Sequence, residues 1–535
     1  MFHQLLTPVG GSLALSFLIA VLPVLAVLIM LGVLQRPAWQ ASLLGLVVGL
    51  IAAVGVWQFP LPMALNATAA GMVFAVWPVM WIVFSALLLY NVAVASGRFD
   101  AFRDWVFQHL PPDRRVILIV IGFCFGALLE GISGFGTPIA ITSSLLIMTG
   151  WPAIEALTYT LIFNTAPVAF GALGVPVTVL AKVTGLPTGA LGAMIGRQLP
   201  FFALLLPFYV MFVFGGRRSV AALWPLLLVA GGSFAGFQFA TSNFGNYQLT
   251  DVFSSLGSLI VTLAFLRVWQ PAPTTEFATT RAVADPALGT AGHRINVWQG
   301  WLPWLVVAVV VVVWTHFSVP SAFAQNIPWP GLDKQVYITL YGKPYALVWG
   351  FQPLATGTAI LVAAIITSAL VGLSLAKFVG CIGQTARQVW LAVVTVALII
   401  GLAYLMNYSG MTYTLGKGAA SLGPLFPLAS AFLGWVAVML SGSDTSGNAL
   451  FGNLQVVAAH QLNLNPVLFA ATNSSGGVMG KMISPQNIAT GVAVTDLKGQ
   501  EGRVFARTFK HSVILTVLLG GLVMLQQYVV PWMVP

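Results

Sequence analysis

Residues 473–485, NSSGGVMGKMISP, lie inside an apolar run of about thirty residues, 466–495, long enough to cross a bilayer. The stretch nevertheless holds three glycines, three hydroxyls, an amide and one lysine, Lys481, none of which a plain spanning helix needs. The chain carries the same pattern earlier, where 164–176 reads NTAPVAFGALGVP. In both stretches a glycine falls seven residues after the asparagine (Gly171, Gly480) and a proline twelve after it (Pro176, Pro485). Two interrupted apolar segments at corresponding points of two halves point to the binding site of a transporter.

Composition agrees. Of 535 residues, 59% are hydrophobic and only 6% charged, where a soluble domain carries about 25% charged residues. With a mean hydropathy of +0.94, the expected fold class is an all-α polytopic membrane protein. The net charge of +10 does not call for nucleic acid, because cytoplasmic loops of membrane proteins collect lysine and arginine. The two cysteines, Cys124 and Cys381, offer neither a disulfide framework nor a metal-ligand spacing, and read as small apolar side chains. The first apolar run, 12–34, is too long for a signal peptide and has no basic region before it.

Twelve runs are long enough to span: 12–34, 40–58, 66–95, 152–182, 188–214, 219–241, 251–267, 298–317, 354–376, 388–408, 466–495 and 512–533. Two further pairs of runs are short. The arms 116–129 and 139–151 flank the polar turn EGISGFGTP, and the arms 425–440 and 449–462 flank SGSDTSGN. Runs of this length suit re-entrant segments, so 116–151 and 425–462 are expected as two hairpins that turn near the midplane.

Charge counting tests the arrangement. With the start of the chain outside, 16 of the 22 lysines and arginines fall on the cytoplasmic side, and Lys182, Lys334, Lys343 and Lys417 fall outside. Arg197 and Lys481 remain in the membrane. The bias supports this orientation and opens the two hairpins to opposite sides. The halves, 1–268 and 298–535, are therefore expected as inverted repeats about 309 residues apart, joined by a cytoplasmic loop at 269–297. Outside, 318–352 contains KQVYITLYGKPYALVW, which alternates like a small β-hairpin. On the cytoplasmic face, 99–110 reads as a short amphipathic helix.

A broken helix leaves backbone N–H groups free at the start of its second half, a field that suits a carboxylate. Asn164, Thr165, Asn473, Ser474 and Ser475 add donors and acceptors there; the alternative is that small polar residues let helices pack closely. Lys481 can neutralise a substrate carboxylate, and Arg197 sits about a third of the way into its helix. Glu130 and Asp444 occupy the two hairpin tips, where an ionisable residue marks function by default. Burial favours their neutral form, so each can bind and release a proton; the alternative is that each caps a hairpin arm. Lys481 is expected to pair with Asp444, in its own half, leaving Glu130 to carry the proton. Asp251 opens a helix and reads as an N-terminal charge, and His316, His460 and His511 lie near segment ends.

Other classes fit poorly. GGVMGKM lacks the first glycine and the final hydroxyl of a phosphate loop, and HExxH, CxxC and GxSxG are absent. No metal, cofactor or nucleic-acid site is expected. A channel or membrane enzyme is separated from a coupled carrier by accumulation of substrate against a gradient.

FCFGALLEGISGFGTPIAIT, NTAPVAFGALGVP, GRQLPF, GSDTSGNALF and GKMISPQNIA occur in that order. In these stretches the chain resembles the bacterial lactate permease family, with the C-terminal KHS a weaker echo. The resemblance implies import of lactate and glycolate with protons across the bacterial inner membrane, with the lipid bilayer and a small monocarboxylate as partners. It also implies kinship with a broader group of ion transporters that carry hairpin-bearing repeats, where Ser-Asn-Thr clusters hold the substrate carboxylate and homodimers are expected. Sodium coupling, or a broader anion specificity on the same fold, is the alternative.

Overall fold

Apolar runs of this length satisfy their backbone in hydrocarbon by forming helices. The computed structural model describes residues 1–32, 34, 36–101, 110–132, 137–272, 274, 276–278, 297–493, 495, 497 and 500–535. Among these, nine helices are long and apolar enough to cross a membrane, or ten when one bent pair counts as a span. The protein is thus an all-α polytopic membrane protein. Side chains such as Leu205, Leu228, Ile260 and Leu518 point outward from its helices, as a lipid-facing surface requires.

The count falls short of twelve for identifiable reasons. The runs at 298–317 and 354–376 form helices of only 15 residues, Leu302–His316 and Thr356–Leu370, about 22 Å long against a hydrocarbon core of roughly 30 Å. Most of 188–214 and 219–241 merges into one helical run, Leu199–Phe244, bent at Gly216, whose φ is 62°. Most of 99–110 lies outside the described residues.

Two of the four hairpin arms, 114–132 and Asp444–Gln461, are longer than their apolar runs. The first arm continues as helix over 114–132, 19 residues, buried throughout but for Arg114. Asp113 starts it early by accepting the Arg115 N–H at 2.8 Å and the Arg115 guanidinium at 2.7 Å. The return arm is Thr137–Met148. In the second hairpin, Phe426–Ser441 ends at Gly442, which takes the left-handed conformation (φ 71°) favoured at helix ends, and Asp444–Gln461 follows. Most of the polar turn SGSDTSGN is therefore helical, capped by Ser443 Oγ, which accepts the Ser446 N–H.

The two interrupted segments differ. In the first, Ala153–Phe163 meets Val168–Thr184 at 63°, and Ala172, Leu173 and Gly174 all have positive φ, of 45°, 57° and 75°. Two of these are not glycine, a strain that persists only where packing enforces it. The second does not break where expected. Asn473, Ser474, Ser475 and the three glycines stay within one helix, Pro466–Lys481, and the interruption falls after Lys481, before Pro485–Ala493. Here the glycines serve close approach: a Cβ would stand 2.2 Å from the Ala431 carbonyl oxygen at Gly476, and 2.2 Å from that of Trp435 at Gly480. The second interrupted segment is thus a packing seam against the first arm of its hairpin.

Small sheets cover one end. Val336–Ile338 pairs antiparallel with Lys343–Pro344, the expected hairpin, and Phe2–His3 adds to it in parallel. Gln325–Pro328 pairs with Val348–Phe351. Residues assigned to one side touch each other: Lys182 Nζ donates to the Val348 carbonyl at 3.1 Å. On the other side, Arg114 donates to the Gly150 and Glu276 carbonyls, and Arg115 lies over the Phe277 ring.

Candidate functional site

Each hairpin tip is bonded to the segment that follows it. In the first half, Asn164 Nδ2 donates to Glu130 Oε2 at 2.9 Å. In the second, Asn473 Nδ2 donates to Asn448 Oδ1 at 2.9 Å, and Ser474 Oγ donates to Asp444 Oδ2 at 2.5 Å. Neither carboxylate caps its arm. The matched asparagines do equivalent work, each holding the tip of its own hairpin.

The ion pair crosses between the halves. Lys481 Nζ lies 2.7 Å from Glu130 Oε1, with both side chains buried. This corrects the expected pairing with Asp444. Lys481 ends its helix, and Asn164 already holds the Glu130 carboxylate beside it. Asp444 is bonded instead by Ser474 and by Asn448 Nδ2 at 3.3 Å, while its Oδ1 is buried without a partner. Asn448 also donates to the Pro176 carbonyl at 3.2 Å, a second link from the second hairpin to the first broken helix.

Glu130, Asp444 and Lys481 line one cavity of about 40 Å³, together with Thr445, Gln486 and Asn487. That volume holds about three water-sized spheres. The non-helical backbone of Gly171 and Ala172 forms part of its wall, which is where irregular backbone at membrane depth is tolerated. Lys481 is the one cation among the lining residues.

The other sequence candidates lie apart from this wall. Asn164, Asn473 and Ser474 stand behind it and bond the groups that form it or flank it. Thr165 Oγ1 turns back to the Ile162 carbonyl at 2.7 Å, and the Ser475 hydroxyl is buried without a partner. Arg197 is held elsewhere, donating to Asn243 Oδ1 at 2.7 Å and to the Met533 carbonyl at 2.8 Å. Thr445, Gln486 and Asn487 were not among the candidate residues although they lie within SGSDTSGN and GKMISPQNIA, stretches the sequence singles out. Asp251 is not an exposed N-terminal charge: it is fully buried, and both its carboxylate oxygens lack a partner. The side chain of His316 lies outside the described set, and His511 Nδ1 meets the Tyr209 hydroxyl at 2.5 Å.

A larger cavity, of about 950 Å³, opens at the other end of the first broken helix, under the small sheets. Lys182, Lys343, Tyr404, Tyr408, Asn453 and His460 are among its lining, and no carboxylate is.

Glu130 and Lys481 thus form a buried ion pair at the wall of a small cavity between two hairpin tips, in a multi-helix membrane protein. The L-lactate permease family model matches residues 16–530, and the chain belongs to that family: it is a multi-pass permease of the bacterial cytoplasmic membrane and not an enzyme. It is 40% identical over 553 residues to the glycolate permease GlcA of Escherichia coli K12, covering 98% of each chain. It is 39% identical over 542 residues to the L-lactate permease of Salmonella typhimurium, again covering 98% of each. Among solved structures, Neisseria gonorrhoeae MtrF aligns over 94% of this chain and 97% of that one, at 14% identity and a TM-score of 0.49.

Proposed function

We propose that the protein imports lactate, glycolate and related 2-hydroxymonocarboxylates by proton symport, and that substrate and proton meet at the Glu130–Lys481 pair. The observation that carries this is the 2.7 Å ion pair in the wall of the small cavity. A substrate carboxylate entering that cavity meets Lys481, which Glu130 already occupies. Displacing an ionised Glu130 would leave a buried charge without a counter-ion, at a cost of several kcal/mol. Protonating Glu130 removes that cost, so binding the anion and taking up the proton become one event. The empty pair and the loaded site, with Lys481, substrate and neutral Glu130, then have the same net charge. A complex without net charge crosses a low-dielectric barrier more readily than a charged one.

In this reading Asn164 positions Glu130, Asn473 and Ser474 position the second tip, and Asp444 is the second proton-binding group of the cavity. The two hairpins are re-entrant, and with the membrane-crossing helices they form inverted-topology repeats; the matched Asn164 and Asn473 bonds support the internal symmetry. A homodimer belongs to the same reading, checked by the mass of the purified protein in detergent.

Two measurements test it. Glu130→Gln fixes the neutral form; it should abolish accumulation of labelled lactate in vesicles with an imposed pH gradient and retain exchange of labelled for unlabelled lactate. Accumulation by Glu130→Gln would move the proton to Asp444, tested in turn by Asp444→Asn. Single cysteines at 343 and 503 test the topology: an impermeant reagent should label the first alone in sealed cells, and labelling at 503 would overturn the inverted repeat.

A further inference from the structure

Two helices run past both cavities. The first broken helix lines the small cavity at Pro176 and the larger one at Thr178, Ala181 and Lys182. The return arm of the second hairpin, Asp444–Gln461, lines the small cavity at Asp444 and Thr445 and the larger one at Asn453 and His460. The two helices pack along one seam. Asn448 Nδ2 donates to the Pro176 carbonyl at 3.2 Å, and one turn on, a Cβ at Gly452 would stand 2.5 Å from Leu180 Cδ1. From Pro176 to Lys182 the seam covers about 9 Å. The small cavity, about 40 Å³, has room for about three water-sized spheres, fewer than the non-hydrogen atoms of lactate or glycolate. Of the two cavities, the larger one alone admits a whole hydroxy acid in this conformation.

The walls of the larger cavity suit an anion. Lys182 and Lys343 are among its lining, and no carboxylate is. Lys182 Nζ lies over the Phe74 ring, 5.5 Å from its centroid, and donates to the Val348 carbonyl at 3.1 Å. An ammonium has three donors, and among the described residues no acid pairs with this one. A carboxylate offers it a charge pair that the Val348 carbonyl does not. Lys343 lies over the Tyr341 ring, 5.8 Å from its centroid, and the buried Tyr341 hydroxyl has no partner. The stacked rings of Tyr345 and Tyr408, 4.2 Å apart, add apolar wall for a short carbon chain.

We propose that the larger cavity is a first binding site for the substrate anion, with Lys182 taking its carboxylate before the anion passes along the seam to Lys481; the inference rests on the transport reading above. Lys182 also stands in the last turn of its helix, where a cation stabilises the helix end whether or not an anion binds, so the test separates the two roles.

In the full chain, reconstituted in vesicles, Lys182→Gln removes the cation and keeps a donor for the Val348 carbonyl. The KM for lactate in lactate–lactate exchange should rise roughly 10-fold, the lower end for a hydrogen bond to a charged group, with the rate at saturating lactate unchanged, and Lys182→Arg should restore the KM. A wild-type KM in Lys182→Gln overturns the proposal, and so does a lower rate and melting temperature at unchanged KM, which marks Lys182 as a structural anchor. Equilibrium binding of labelled lactate separates the two sites. The variant carrying Lys481→Met and Glu130→Gln should still bind lactate, and adding Lys182→Gln should abolish that binding. No binding by the double variant, or binding that survives the third substitution, overturns the proposal. Transport by Lys481→Met with the wild-type KM would remove the exchange at Lys481 and leave the site at Lys182 standing.

Discussion

The segments that follow the two hairpins share the same spacing of asparagine, glycine and proline, and they fold differently. The first turns through three left-handed residues and bends by 63°. The second runs straight from Pro466 to Lys481, with Gly476 and Gly480 against a neighbouring backbone. The first half therefore supplies irregular backbone to the cavity wall, and the second supplies the cation. Glu130 and Lys481 pair across the two halves, a contact with no counterpart in the matched spacing.

Removing Lys481 should have the largest effect on this comparison. Lys481→Met leaves Glu130 buried without its cation, and breaking a buried pair costs about 3–5 kcal/mol. Transport should vanish and the melting temperature fall, whereas Lys481→Met with Glu130→Gln should recover the melting temperature without transport. If the single and double variants melt together, the pair does not bind the halves.

The matched asparagines should separate. Asn164 bonds a charged group, and losing such a bond costs about 1.5–3 kcal/mol; Asn164→Ala should lower the stability of the folded protein by that amount. Asn473 bonds neutral partners, worth about 0.5–1.5 kcal/mol, so Asn473→Ala should cost less. Equal falls in melting temperature would mean that the two asparagines hold their hairpin tips alike.

Gly480→Ala gives the smallest functional change. Its Cβ collides with backbone, and overpacking costs about 1–3 kcal/mol, so the melting temperature should drop while the KM of the surviving protein stays put. A shifted KM with an unchanged melting temperature would show that the second segment opens at its glycines after all.

Much of the site was legible in the primary structure because membrane burial makes polar residues conspicuous. Glu130, Asp444, Lys481 and the matched asparagines stand out against apolar neighbours, and the structure brings them within two hairpin tips of one another. Which acid meets Lys481 was not legible. Chain proximity favoured Asp444, but the pairing is set by packing between halves, where Asn164 holds Glu130 and Ser474 holds Asp444. The straight course of 473–480 was hidden for a related reason: glycine serves a bend and a close contact equally well, and the neighbour decides. Asp251 misled because the start of a hydrophobic run normally faces water, and here the first hairpin tip covers it.

The sheet over the larger cavity joins distant parts of the chain. Phe2 N–H donates to the Gln335 carbonyl at 2.8 Å, Gln4 N–H to that of Tyr337 at 3.1 Å, and Gln4 Nε2 to that of Asn407 at 2.8 Å. During synthesis these residues have no partner until more than 330 further residues have been added. At roughly 5–20 residues per second, that is a wait of about 15–80 s. The chamber above the first broken helix is therefore roofed late, after the helices of the first half have already been made.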